Sequence, residues 1–106
     1  MTKVETSKFA VVAKLTASPG NRDAMIDALQ LALDNAEAED GTLVYLLHED
    51  TTDANVVWFY ELYVDRDAHA AHVASAGFKA LGPALRPFLD GRPETTYLQP
   101  VGGKGL

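Results

Sequence analysis

The 106-residue sequence contains no cysteine. That absence removes disulfides, thiolate nucleophiles and Cys-rich zinc sites together, and it fits a reducing, cytoplasmic setting. Basic charge is scarce as well: nine Lys and Arg stand against fifteen Asp and Glu, a net charge of -6. The basic residues are scattered, so no stripe exists for a phosphate backbone or an anionic lipid surface, and neither nucleic acid nor membrane is an expected partner. No apolar run approaches the roughly 20 residues that span a bilayer, and the polar start from Met1 to Lys8 lacks the apolar core of a signal peptide. No Gly-rich turn follows a strand as a nucleotide-phosphate site requires, and Ser75 has no Gly-x-Ser-x-Gly context for hydrolase chemistry.

What the chain does contain is a strand with no wet side, Val56 to Val64. Alternate residues of a strand point to opposite faces of a sheet, so Val56, Trp58, Tyr60, Leu62 and Val64 share one face. Val57, Phe59 and Tyr63, with a lone Glu61, share the other. Phe9 to Leu15 repeats the pattern. A small antiparallel sheet usually leaves one face solvated; two apolar faces call for helices on one side and a second copy of the chain on the other.

Between these strands, Met25, Ile26, Leu29, Ala32, Leu33 and Ala36 recur at three- and four-residue spacing, one amphipathic helix entered through Ser18 to Asn21 and stopped at Asp40 and Gly41. Thr42 to His48 alternates as a second strand, and the polar Glu49 to Asn55 predicts an antiparallel hairpin with a loop. Asp65 stands where a helix N-cap belongs, before a short alanine-rich helix over Ala68 to Ala76 that Gly77 ends. Phe78, Leu81, Leu85 and Phe88 continue at helical spacing, broken at Gly82 and Pro83, with Pro83 starting the second piece. A last strand covers about Glu94 to Gln99. The whole is one domain, with polar residues 1–7 before it and a mobile tail, 101–106, after it. The order β-α-β-β-α-β predicts an α+β, ferredoxin-like fold: a four-stranded antiparallel sheet with helices on one face.

The run Trp58, Tyr60, Glu61, Asp65, Ala68, His72, Ser75, Phe78, Lys79 resembles the signature of the antibiotic biosynthesis monooxygenase family. The first strand and the Pro19-Gly20 turn extend the likeness over nearly the whole chain. The resemblance implies a dimeric α+β barrel with an apolar pocket in each subunit, between sheet and helices. The family includes cofactor-independent monooxygenases of quinols and polyketide anthrones, haem-degrading enzymes and a sugar-phosphate isomerase. The haem-degrading branch carries an Asn and a His where this chain has Ala13 and Gly82, so the resemblance does not extend to haem chemistry. Where much of the family has a second Trp, this chain has Tyr63.

Glu61 is the one charge inside a two-sided apolar strand, and a buried carboxylate needs a partner. Either it pairs with His72, as an acid and base able to take a phenolic proton, or Tyr and backbone groups hold it as a structural contact. His72 shares a helix face with His69, Val73 and Ala76; His69 can equally lie exposed. Two His three residues apart, with His48 as a third, make a weak metal signature, and His48 suits a structural or dimer contact better. Asp65 is assigned to capping. Lys79 and Arg86 read as solvated, or as anchors for an anionic substrate.

The resulting expectation is a homodimeric enzyme that uses O2 on a quinol or polycyclic phenol with no cofactor. In it His72 is the base, Glu61 its orienting partner, Tyr60 a catalytic hydroxyl, and Trp58, Tyr63, Phe78 and Met25 the substrate walls. The alternatives are a non-catalytic dimer that binds a small apolar ligand or serves as a stress-related accessory protein, and an isomerase that works without O2.

Overall fold

The computed structural model of the protein describes residues 6–106. Of the polar N-terminal stretch, residues 1–5 lie outside the described part. Seven elements follow one another: β1 (Phe9–Thr16), α1 (Arg22–Glu37), β2 (Thr42–Glu49), β3 (Val56–Tyr63), α2 (Arg66–Ala74), α3 (Ala76–Leu85) and β4 (Glu94–Leu98). The four strands form one antiparallel sheet in the order β2-β3-β1-β4, the ferredoxin-like arrangement the sequence predicts. No helix among the described residues is long and apolar enough to cross a membrane.

Register fixes which side chains face the helices. Val11 pairs with Glu61, Ala13 with Phe59 and Leu15 with Val57 across β1 and β3, while Tyr45 and Leu47 of β2 lie opposite Glu61 and Phe59. These residues share the covered face, because facing partners in an antiparallel pair project to the same side. There they meet Met25, Leu29 and Ala32 of α1 and Leu81 and Leu85 of α3 in the main core. Phe9, Val11 and Tyr63 form a smaller cluster beside Ala68 of α2.

Three local readings change. The first helix closes at Ala38 with ordinary helical geometry, and Gly41 is not left-handed. Gly41 is needed for close approach: a Cβ there would come within 2.7 Å of the Ala68 Cβ on α2. At the second junction it is Ser75 that divides the helices. Its hydroxyl accepts from the Phe78 amide and donates to the His72 carbonyl, so Gly77 falls inside α3. Pro83 also lies inside α3 instead of starting a new piece. Its ring would collide with the Cβ of a helical neighbour before it, and Gly82 has none.

The opposite face carries Val12, Lys14, Val44, Leu46, Trp58, Tyr60 and Leu62. Part of it lies beneath the chain's own C-terminal residues: Pro100 and Gly102 to Leu106 line a hollow with Ala10, Val44, Tyr60, Leu62 and Leu98. The Lys8 ammonium donates to the Leu106 carbonyl at 3.0 Å. Leu46, Tyr60 and Leu98 nevertheless remain more than a third exposed.

Candidate active site

Between the covered sheet face and the helices lies a cavity of about 320 Å³. That volume is near the lower end of the range of about 300–1,000 Å³ common for small-molecule sites. Its floor is Val11, Ala13, Phe59 and Glu61; α2 contributes His69 and Val73, and α3 contributes Phe78, Leu81, Gly82 and Leu85. Tyr45, Thr95 and Tyr97 add to the wall. Apolar surface predominates, and the polar groups collect at one end, where α2 crosses the sheet.

At that end two hydrogen-bonded pairs stand side by side. The Tyr63 hydroxyl donates to Glu61 Oε1 at 2.5 Å, both side chains being buried. Two residues apart on one strand, they project to the same face by alternation alone. His72 Nδ1 lies 2.7 Å from Glu39 Oε1; a carboxylate can only accept, so Nδ1 carries the proton. Glu39, in the connection between α1 and β2, also accepts from the Thr42 hydroxyl at 2.9 Å. The His72 ring is enclosed by Tyr45, Tyr63 and Phe78, with ring centroids 5.2–5.5 Å away.

This crowding sets the electrostatics. Burial pushes the Glu61 carboxyl up from its ordinary value, the Tyr63 hydrogen bond and the nearby His72 pull it partly back, and Glu39 pushes it up again. Burial also raises Tyr63 and Tyr45, helped in both by the negative charges of Glu61 and Glu39. Both phenols therefore stay protonated at neutral pH and act as donors. His69, half-buried against the rings of Phe9, Tyr63 and Tyr97, is pushed down by burial and by His72. It is a neutral imidazole at pH 7, free to take a proton.

Of the expected site residues, Glu61, Tyr63, His72 and Phe78 come together, but only Glu61 and Phe78 line the cavity; Tyr63 and the expected base His72 do not line it and are hydrogen-bonded to Glu61 and Glu39. Glu61 and His72 are neighbours, but each is hydrogen-bonded to a different partner. Trp58 and Tyr60 do not join them: the period of two along β3 carries both to the opposite face. There the Trp58 indole donates to Asp50 Oδ2 at 2.8 Å beneath the Lys14 ammonium, and Tyr60 meets the C-terminal residues. Met25 is fully buried in the core and does not line the cavity. His48 lies on the open face with Trp58, so the three histidines do not converge. Asp65 caps α2, accepting from the Ala68 amide at 2.7 Å. His69, Tyr45 and Tyr97 line the cavity although none is among the site residues expected from the sequence. His69 had a usable signal, since it lies three residues before His72 on one helix face; Tyr97 shares its face with Val11 only once the β1–β4 register is known.

The family model for antibiotic biosynthesis monooxygenases matches residues 8–83. The chain belongs to that family, and its class is that of the monooxygenases at the level of the family. A solved Caulobacter crescentus structure assigned to the same monooxygenases is 34% identical, with 88% of this chain and 89% of that one aligned at a TM-score of 0.80. Rv0793 of Mycobacterium tuberculosis is 26% identical over 93% of this chain and 100% of its own, with a TM-score of 0.84. PA3566 of Pseudomonas aeruginosa is 25% identical over 88% and 93%, at 0.79. No curated protein matches the sequence.

Proposed function

We propose that the protein is a cofactor-independent monooxygenase that oxidises a quinol or polycyclic phenol with O2, as a homodimer with one cavity per subunit. The observation that carries this reading is the composition of the cavity: apolar walls around a buried carboxylate, a neutral imidazole and a tyrosine hydroxyl. An electron-rich phenol can supply all the electrons O2 needs. The protein then has to exclude water, take a proton and steady the charge that develops on oxygen.

In the proposed sequence, His69 takes the phenolic proton and Tyr45 donates a hydrogen bond to the resulting oxyanion. The anion passes one electron to O2, and the two radicals join in a carbon–oxygen bond to give a peroxide anion, which takes up a proton. Loss of water breaks the O–O bond and leaves a carbonyl on the substrate. One oxygen atom ends in product and one in water, and the substrate is the only reductant. Glu61 stabilises the imidazolium formed on His69, and Tyr63 holds Glu61 in place. His72, turned towards Glu39, is a positioning residue.

The homodimer is proposed because apolar Leu46, Tyr60 and Leu98 stay exposed on the face away from the helices, where a second copy would bury them.

The test is O2 consumption by chelator-treated protein supplied with reduced quinols and anthrones. The reading predicts uptake above the uncatalysed rate, and a fall of about 10²–10⁴ in kcat for His69→Ala with the assembly intact. Tight binding of these compounds without O2 uptake would mark a ligand-binding protein. Turnover under anaerobic conditions would mark an isomerase.

A further inference from the structure

The cavity crosses the whole sheet, from Thr95 and Tyr97 on the β4 edge, over β1 and β3, to Tyr45 on the β2 edge. At the β4 end it reaches solvent, because Phe78, Gly82, Pro93, Thr95 and Tyr97 are exposed as well as cavity-lining. At the β2 end it stops at Tyr45. Behind that residue lies a second space, a groove of about 780 Å³ between the C-terminal half of α1 and β2. Leu33 and Ala36 of α1 and Leu43 and Leu47 of β2 give it apolar walls, to which Asp34, Glu37 and Glu39 add carboxylates. It is open to solvent, since Asp34, Glu37 and Leu43 are exposed. Among the described residues, Tyr45 alone lines both spaces. One side chain therefore separates them. Its ring packs against Phe59 at 4.9 Å and His72 at 5.4 Å between centroids, and His72 is fixed through Nδ1 to Glu39 on the groove side.

We propose that the groove is a second route into the cavity, gated by Tyr45, through which O2 enters and product water leaves while the phenol occupies the cavity. The role given to O2 rests on the monooxygenase reading; the connection between the two spaces does not. His69 lies against Tyr97 of β4, and Tyr45 pairs with Glu61 across β2 and β3. A phenol held by His69 and Glu61 therefore stands between the β4 mouth and Tyr45, across the path from that mouth. A route past Tyr45 opens instead beside Glu61, at the ring that must meet O2. O2 is small and apolar, so leucine and alanine walls favour its passage, and the groove carboxylates accept hydrogen bonds from the departing water. A change of rotamer at Tyr45 would join the two spaces with no backbone movement. The Glu39–His72 pair, which the proposed oxidation uses only for positioning, braces the Tyr45 ring in the closed arrangement.

The test measures how readily O2 reaches a fluorophore held in the cavity. The probe is 1-aminoanthracene, a planar apolar amine, and its excited-state lifetime in the complex is followed as O2 is admitted. Val73→Trp, which fills the cavity from a half-buried position on α2, should weaken binding of the probe and so place it there. Tyr45→Leu opens the partition, and Leu43→Trp narrows the groove from an exposed position outside the cavity. The proposal predicts that the O2 quenching constant at least doubles in Tyr45→Leu and at least halves in Leu43→Trp, with quenching by acrylamide unchanged in Leu43→Trp. With 1,8-dihydroxy-9-anthrone as substrate, Leu43→Trp should raise KM for O2 at unchanged KM for the anthrone. An O2 quenching constant unchanged in either variant would overturn the route and leave the monooxygenase reading standing. Quenching that follows the variants in a protein that oxidises no phenol would keep the gated passage and remove that reading. Failure of the wild type to bind the probe, or binding unaffected by Val73→Trp, would overturn both.

Discussion

Glu61 occupies a position that hydrophobic burial alone would give to Val or Leu, and its raised pKa has a consequence for stability. Below the ordinary value of 4.5 the carboxyl is protonated whether the chain is folded or not, and burial then costs little. As pH rises from 4.5 through the raised folded value, the unfolded chain ionises more readily than the folded one, and stability is lost. Glu61→Gln removes this titration and keeps an acceptor for the Tyr63 hydroxyl. The Tm of the variant should therefore rise relative to wild type as pH increases above 4.5, each kcal/mol appearing as about 4–8 °C. A Tm difference independent of pH would contradict the assignment. His72→Ala should act differently, leaving Glu39 with only the Thr42 hydroxyl and opening a void among three aromatic rings. A loss of about 2 kcal/mol in denaturant unfolding is expected. That Glu61 and Tyr63 share a face was legible in the sequence from alternation, but the sequence left open whether Glu61 pairs with His72 or with a tyrosine, and the fold gives it Tyr63. That of His72 and Glu39 was not: 33 residues separate them, and only the packed fold brings the α1–β2 connection against α2.

Strands and the first helix follow closely from periodicity, since each covers enough residues for its pattern to be read. The junctions do not, because glycine and proline serve several ends and the sequence does not say which. Gly41 illustrates this. It reads as a helix stop, yet its role is to let the start of β2 approach Ala68 on α2. Gly41→Ala should therefore destabilise by about 1–3 kcal/mol through overpacking, and Ala68→Gly should restore part of the loss in a double-mutant cycle. If the two substitutions prove additive, the contact is not what demands glycine. The cap was readable from its residue type: Asp65→Ala should cost about 1 kcal/mol.

At the scale of the whole molecule, the sheet has one face filled by its own helices and another left with exposed apolar residues. Both were visible in the sequence as strands apolar on each side, whereas the depth of the cavity was not, because it depends on how far α3 stands from β4. Sedimentation should give a mass twice the 11.4 kDa of the chain, and Leu46→Glu with Tyr60→Lys should halve it. For the proposed oxidation, the cavity must above all be a place where a phenol loses its proton. Under anaerobic conditions at pH 7, 1,8-dihydroxy-9-anthrone bound to wild-type protein should show the absorption spectrum of its anion, and bound to His69→Ala that of the neutral form. A neutral spectrum in both, with binding intact, would contradict the account.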